Sequence, residues 1–242
     1  MVQTLTDIRA MLDAHGLHPK HRFGQNFLHD HNQLRKIIEA ADIAAGDVVL
    51  EVGPGTGALS EWLLEAGARV IAVEIDTDLQ PVLEDRLSSR FGERFELCMT
   101  DVLAGKHELS PAVLDALRSM GGGTMPPFKL IANLPYNVAS PLLLNLACDV
   151  PQMSRAVVMI QREVADRLIA DPGSKTYGPL GIMLQVTCET DIVSTLPPEC
   201  FWPRPKVASA VVRIVRRQKP LTDDLPRFSR VVHEVFAQRR KQ

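Results

Sequence analysis

A chain of 242 residues, 45% of them apolar, is long and hydrophobic enough to bury a substantial core, which excludes global disorder and fits one large domain or one large and one small. Its four cysteines, Cys98, Cys148, Cys188 and Cys200, form neither a CxxC pair nor a compact Cys/His cluster, which argues against a zinc site and a disulfide scaffold. The net charge of -2 hides an asymmetry: residues 1–154 carry 12 basic and 20 acidic side chains and residues 155–242 carry 15 and 9, an acidic body with a basic far end suited to local binding of a polyanion.

From the N-terminus, the spacing predicts a helix over Leu5–His15 stopped by Gly16, a loop through "HPKHRFGQNFLHD", and a helix over Asn32–Ala41 with Leu34, Ile37, Ile38 and Ala41 at three- and four-residue steps. Val48–Val52 reads as a strand, followed by a glycine turn at Gly53–Gly57 and a helix over Ala58–Glu65. Strands over Arg69–Val73, Phe95–Met99 and Phe128–Ala132 alternate with helices over Thr77–Ser88 and Pro111–Ser119, with "GGGTMPP" as a surface connection. Such alternation predicts a largely parallel sheet with helices on both faces.

Beyond it, a helix is expected over Pro141–Leu146, a strand over Ala156–Ile160 and a helix over Arg162–Ala170, then a loop through "DPGSKTYGPLG". Ile182–Cys188 and Ser209–Val215 are read as a terminal antiparallel pair at the sheet edge. Four prolines in "LPPECFWPRPKV" argue against regular strand pairing there. A last helix is expected over Asp224–Arg240. No apolar run reaches membrane-spanning length and no secretory signal is present, so the cytoplasm is the expected location.

Gly53, Gly55 and Gly57 lie between a strand and a helix, where glycine lets a ligand approach the backbone. That spacing alone is shared with dinucleotide sites. Glu51 and Pro54 favour a nucleoside with a cationic amino-acid tail, because an ionised Glu51 repels a pyrophosphate. Glu74, closing the second strand, suits the two hydroxyls of a ribose. Asp76 supports the loop or caps the next helix, and Asp101, just past the third strand, suits an adenine amino group. Together these match the demands of S-adenosylmethionine, so the expected fold is α/β, a class I methyltransferase with a Rossmann-like, mostly parallel seven-stranded sheet and an antiparallel edge.

In "LIANLPYNVASP", Asn133, Leu134, Pro135 and Tyr136 follow the fourth strand at the same sheet edge. The lone pair of an exocyclic amine is delocalised into its base. The Asn133 side-chain oxygen and the Leu134 carbonyl can accept its two hydrogens and aim that lone pair at a methyl carbon, interactions that strengthen as charge develops on nitrogen. Pro135 stiffens the turn and Tyr136 offers a ring for stacking.

At this point the chain resembles the bacterial small-subunit ribosomal RNA adenine dimethyltransferases, whose loss gives kasugamycin resistance. The signatures are "RFGQNFLHD", "EVGPGTG", "VEID", "NLPYNVASPLL", "QREVADRLIADPGSKTYGPL" and "FWPRPKVASAVVRI", in colinear order over about Leu12 to Lys241. The resemblance implies transfer of four methyl groups, two to N6 of each of two adjacent adenosines near the 3' end of 16S rRNA in the immature 30S particle, with S-adenosyl-L-homocysteine as the other product. It implies that Gln25, Asn26 and Leu28 close over the cofactor, Gly53 lies beside its tail, Glu74 holds the ribose and Asp101 the adenine. Asn133 to Tyr136 take the target amine, with Asn133 also facing the cofactor, and Phe201 stacks on the target base. Arg22, Lys206, Arg239, Arg240 and Lys241 face RNA.

No metal and no membrane partner are expected, and the chain is read as a monomer. Ala139 and Gly181 stand where the family often has Ser, with little effect expected on chemistry. The family's small helical C-terminal domain normally continues past "RRK", so residues 1–217 are read as the catalytic domain and 218–242 as the start of a truncated RNA-docking domain. The alternatives are an erythromycin-resistance-type enzyme acting on 23S rRNA, which uses the same catalytic parts, and a non-catalytic RNA-binding assembly factor.

Overall fold

The computed structural model describes residues 3–105 and 108–237. Thr4 starts the first helix, α1 (Leu5–Ala14), by a reciprocal cap in which its hydroxyl accepts from the Asp7 amide and the Asp7 carboxylate accepts from its own amide. A tight turn at His21–Phe23 and a two-residue strand, β1 (Phe27–Leu28), lead to α2 (His31–Ala41), capped by Asp30. Then come β2 (Val48–Val52), α3 (Ala58–Glu65) and β3 (Arg69–Glu74).

The helix expected over Thr77–Ser88 is a chain of short pieces: a 3-10 turn at Thr77–Leu79, α4 (Gln80–Leu83), a π turn at Glu84–Ser88 and α5 (Ser89–Phe91). β4 (Phe95–Met99), α6 (Pro111–Met120), β5 (Phe128–Asn133), α7 (Tyr136–Asp149), β6 (Met153–Gln161) and α8 (Arg162–Leu168) follow. The chain ends with α9 (Pro179–Thr187), β7 (Cys188–Leu196), β8 (Phe201–Trp202), β9 (Ser209–Arg216) and α10 (Leu225–Ala237).

Seven strands form one sheet in the order β4-β3-β2-β5-β6-β9-β7. The first five are parallel, and β9 lies antiparallel to both β6 and β7. Alternation along each strand feeds two cores. Val48, Leu50 and Val52 of β2 join α6 and α7 residues such as Val113, Leu117, Leu142 and Leu146, while Val49 joins Leu34, Ile37, Leu59 and Leu63 on the opposite face. This is the class I methyltransferase architecture.

Three expectations are corrected. Residues 182–187 are helical and only Cys188 is in a strand: Pro179 opens α9, which buries residues around its circumference, so the continuous apolar run carries no strand period, and the edge strand is Cys188–Leu196. Within the proline-rich segment, Phe201 and Trp202 do pair, antiparallel with Leu28 and Phe27, because the prolines stand outside the two bonded residues. The helix expected to begin at Pro141 begins at Tyr136 and runs through it.

Two side-chain features hold the far edge. Arg216 donates to the carbonyls of Leu146, Ala147, Val150 and Met153, closing the C-terminal end of α7 against β6. α10 rests on the body through Val232, packed with Ile182 and Met183 of α9. Arg239, Arg240 and Lys241 lie outside the described residues. Among the described residues no helix is long and apolar enough to cross a membrane.

Gly181 is constrained by packing. A Cβ added there would lie 2.2 Å from the Arg167 carbonyl oxygen of α8. Gly181→Ser therefore forces α8 and α9 apart, and urea unfolding is expected to show a loss of about 1 to 3 kcal/mol. A loss under 0.5 kcal/mol, roughly the scatter of neutral surface changes, refutes the close fit.

Candidate active site

β2 and β5 are parallel neighbours whose following helices cover opposite faces of the sheet, so a crevice opens at their carboxyl ends. Gly53, with φ 71°, closes β2, and a Cβ on it would stand 3.5 Å from Pro135 Cδ across the crevice. Gly55, with φ 61°, leaves no room for a side chain: its Cβ would lie 2.9 Å from the Phe27 ring. One pocket here is lined by Arg22, Gln25, Asn26, Leu28, Gly53, Glu74, Asp101, Asn133 to Tyr136 and Phe201, while Lys206 and residues 161–180 are not among its lining residues.

Glu74 is 5% exposed. Its Oε1 accepts from the Ile75 and Asp76 amides at 3.0 and 2.9 Å, and its Oε2 from Gly55 at 3.3 Å. Burial raises its pKa, opposed by those three backbone bonds. Asp101 is exposed and its Oδ1 accepts from the Leu103 amide at 2.9 Å, which fixes one oxygen and leaves the other to a ligand.

The segment before α2 crosses the pocket as a strap. Gln25 accepts from the Lys20 amide and donates to Asp76, both at 2.7 Å, and Lys20 forms ion pairs with Asp76 and Asp78. Burial raises the Asp76 carboxyl, but the bonds from Lys20 and Gln25 outweigh it and hold it below the usual range. Asp76 thus does both things expected of it, anchoring the loop and capping the turn at Thr77. Gln25 is spent on this latch, and Leu28 is buried in the β1–β8 ribbon.

Asn133 donates its Nδ2 to the Asn26 carbonyl at 2.9 Å, which turns its side-chain oxygen away from the strap. The Leu134 amide donates to Met159 at 3.1 Å, fixing the strand end. Pro135 is the N-cap residue of α7 and Tyr136 its first residue, with the phenol 3.2 Å from Ser209 Oγ. Phe201, in β8 beside Leu28 of β1, is 2% exposed. Arg22 is exposed at the mouth, stacked 4.6 Å from the Phe23 ring, and Lys206 is exposed in the loop after β8. Among the described residues no group of three or more His, Cys, Asp or Glu is arranged to hold a metal.

The model of the ribosomal RNA adenine dimethylase family matches residues 16–242. The chain belongs to this family. Ribosomal RNA small subunit methyltransferase A of Cutibacterium acnes is 44% identical, over 97% of this chain and 77% of that protein. Among solved structures, a dimethyladenosine transferase from Plasmodium falciparum superposes with a TM-score of 0.73 at 28% identity, covering 88% of this chain and 71% of that one. The 23S rRNA methyltransferase ErmE gives 0.71 at 28%, covering 88% and 80%.

Within this family member, sequence reasoning missed Lys20, Phe27, Ser60 and Ser209. Lys20 and Phe27 lie in the segment before α2 with nothing local to mark their partners, Asp76 for Lys20, 56 residues away, and Gly55 for Phe27. The charge assigned to Glu51 is also corrected. Glu51 is 1% exposed, and Ser60 Oγ donates to it at 2.5 Å. Burial, reinforced by the nearby Glu74, pushes its pKa up to about 8, so at neutral pH it holds a proton and repels nothing as an anion.

This sets a pH dependence. The folded value lies above the unfolded one, so the contribution of Glu51 to stability is complete below about 4.5 and is lost as pH rises through about 8. Glu51→Gln is expected to remove that decline, leaving the variant more stable than the parent at pH 8 by on the order of 3 kcal/mol. Urea unfolding of both proteins from pH 5 to 8 measures it, and parallel curves refute the buried, protonated carboxyl.

Proposed function

We propose that this chain transfers methyl groups from S-adenosylmethionine to N6 of two adjacent adenosines near the 3' end of 16S rRNA in immature 30S particles, giving N6,N6-dimethyladenosine. One observation carries the reading: Glu74, Asp101 and Asn133 to Tyr136, from three different strand ends, line the same pocket. The cofactor supplies an electrophilic methyl group on a cationic sulfur.

The residues fit that ligand. Gly53 leaves its side of the crevice without a side chain, and Gly55 lets the Phe27 ring close against the glycine turn. An ionised carboxylate has about four acceptor sites, so Glu74, with three backbone donors on it, retains capacity for a ribose hydroxyl. Asp101 offers its second oxygen to the adenine amino group. Asn133, oriented by Asn26, presents its amide oxygen to one hydrogen of the target amine, and the Leu134 carbonyl takes the other. Tyr136 stacks on the base, and Phe201 contacts its other face. The cationic amine formed when N6 takes the methyl group is strongly acidic and loses its proton to water, so alignment is the main catalytic demand.

Arg22, Lys206 and Arg239 to Lys241 are proposed to meet phosphates of the folded RNA. The small-subunit names of the curated relatives favour 16S over 23S rRNA. The test is a methylation assay on undermethylated 30S particles and on 23S rRNA, with mass spectrometry of the nucleosides: dimethyladenosine at two adjacent positions in 16S rRNA supports the reading, and modification of 23S rRNA alone replaces it.

Two variants separate the roles. Glu74→Ala is expected to weaken cofactor affinity by roughly 1.5 to 3 kcal/mol in calorimetry, the size of one hydrogen bond to a charged group; unchanged affinity removes the ribose assignment. Phe201→Ala is expected to lower turnover on 30S particles while cofactor affinity holds. An equal fall in both, with a lower melting temperature, makes Phe201 a packing residue only.

A further inference from the structure

We infer that Ser209 is a positioning residue that fixes the Tyr136 ring at the angle the target base meets; the inference rests on the methyltransferase reading above. The two side chains are 73 residues apart in sequence, yet their hydroxyl oxygens are 3.2 Å apart, within hydrogen-bond distance. Either atom can donate.

Tyr136 is the first residue of α7, after Pro135, and that helix start has no side-chain cap. A first-turn residue has few helix neighbours to hold its ring, because the preceding turn is missing. Ser209 is the opposite case. It opens β9 in register with Gln161 of β6 on one side and Leu196 of β7 on the other, and it is 2% exposed. Its hydroxyl therefore sits on the best-fixed part of the sheet at this edge.

The residues after it, Ala210, Val211 and Val212, are fully buried and apolar. A hydroxyl at the head of such a run is costly unless it has a partner, and Tyr136 is that partner. The bond fastens the ring at its far end, the Cα fastens it to α7, and rotation about the two side-chain torsions is restricted between them. A phenylalanine would supply the same stacking face without this second attachment. The bond also joins "NLPY" to "SAVVRI", the segments on either side of the β6 strand, so the target-amine turn is braced by the antiparallel half of the sheet.

The test is single-turnover and steady-state methylation of undermethylated 30S particles. Ser209→Ala is expected to lower kcat roughly 3- to 10-fold, the size of one neutral hydrogen bond lost from the reacting geometry, with the KM for S-adenosylmethionine unchanged. Tyr136→Phe should give a similar loss, and the double variant no further loss, since both changes remove the same bond. Tyr136→Ala, which removes the ring, should cost more than either. If Tyr136→Ala leaves kcat intact, the stacking reading falls and this inference with it. If Tyr136→Ala is impaired while Ser209→Ala keeps full kcat, or if the losses of the two single variants add, the positioning role alone is overturned. A lower melting temperature for Ser209→Ala with unaltered kcat also overturns it, marking the hydroxyl as a packing group.

Discussion

Everything functional in this molecule depends on the divergence of the chain at the β2–β5 boundary. Two parallel strands bonded side by side send their next segments to opposite faces of the sheet, so no helix covers their carboxyl ends. Gly53 and Pro135 then face each other over a short gap, one chosen for the absence of a side chain and the other for a rigid turn. Glu74 comes from β3 and Asp101 from the segment after β4, each one strand further along the same edge. The pocket is a consequence of strand order, and its chemistry follows from which residues happen to end those strands.

The strap is the second requirement, because it supplies what the sheet edge lacks. Its Asn26 carbonyl sets the orientation of the Asn133 amide, its Phe27 ring fills the space above Gly55, and its Leu28 pairs with Phe201. Arg9 of α1 stacks 5.1 Å from the Trp202 ring in the same ribbon. A segment from the N-terminus and another from the C-terminal third are thereby fastened to one another beside the pocket. Lys20, Gln25 and Asp76 close the other end, so the strap is tied at two points and the Asn133 amide is oriented by a group more than a hundred residues away in sequence.

Charge is used differently from its distribution along the chain. The basic residues of the C-terminal third suggest a surface for RNA, but several serve the fold. Arg213 of β9 pairs with Asp191 of β7, Arg217, just past β9, pairs with Glu189 of β7, and Arg216 is consumed by four carbonyls. In the acidic body, Glu61 is buried against Arg86 and Arg90 and fastens α3 to the irregular helical segment after β3. Arg22 and Lys206 are of another kind: both are exposed, and Arg22 lines the pocket.

By itself the sequence determined the alternating α/β order, the parallel core strands and the identity of the pocket residues, because these rest on local signals: period-two burial, glycines at a strand-to-helix turn, and acids at strand ends. Gly53, Glu74, Asp101 and Asn133 to Tyr136 were all legible in that way. Only the tertiary structure decided the state of Glu51, since protonation depends on burial that no neighbouring residue announces. It also decided that 182–187 is helix and not strand, because an apolar run buried on every side has lost the periodicity that distinguishes the two. The same holds for Lys20 with Asp76, Asn26 with Asn133, Phe27 with Gly55 and Tyr136 with Ser209: each is a pairing of groups distant in sequence, and a single sequence encodes such partners only through the packing that brings them together.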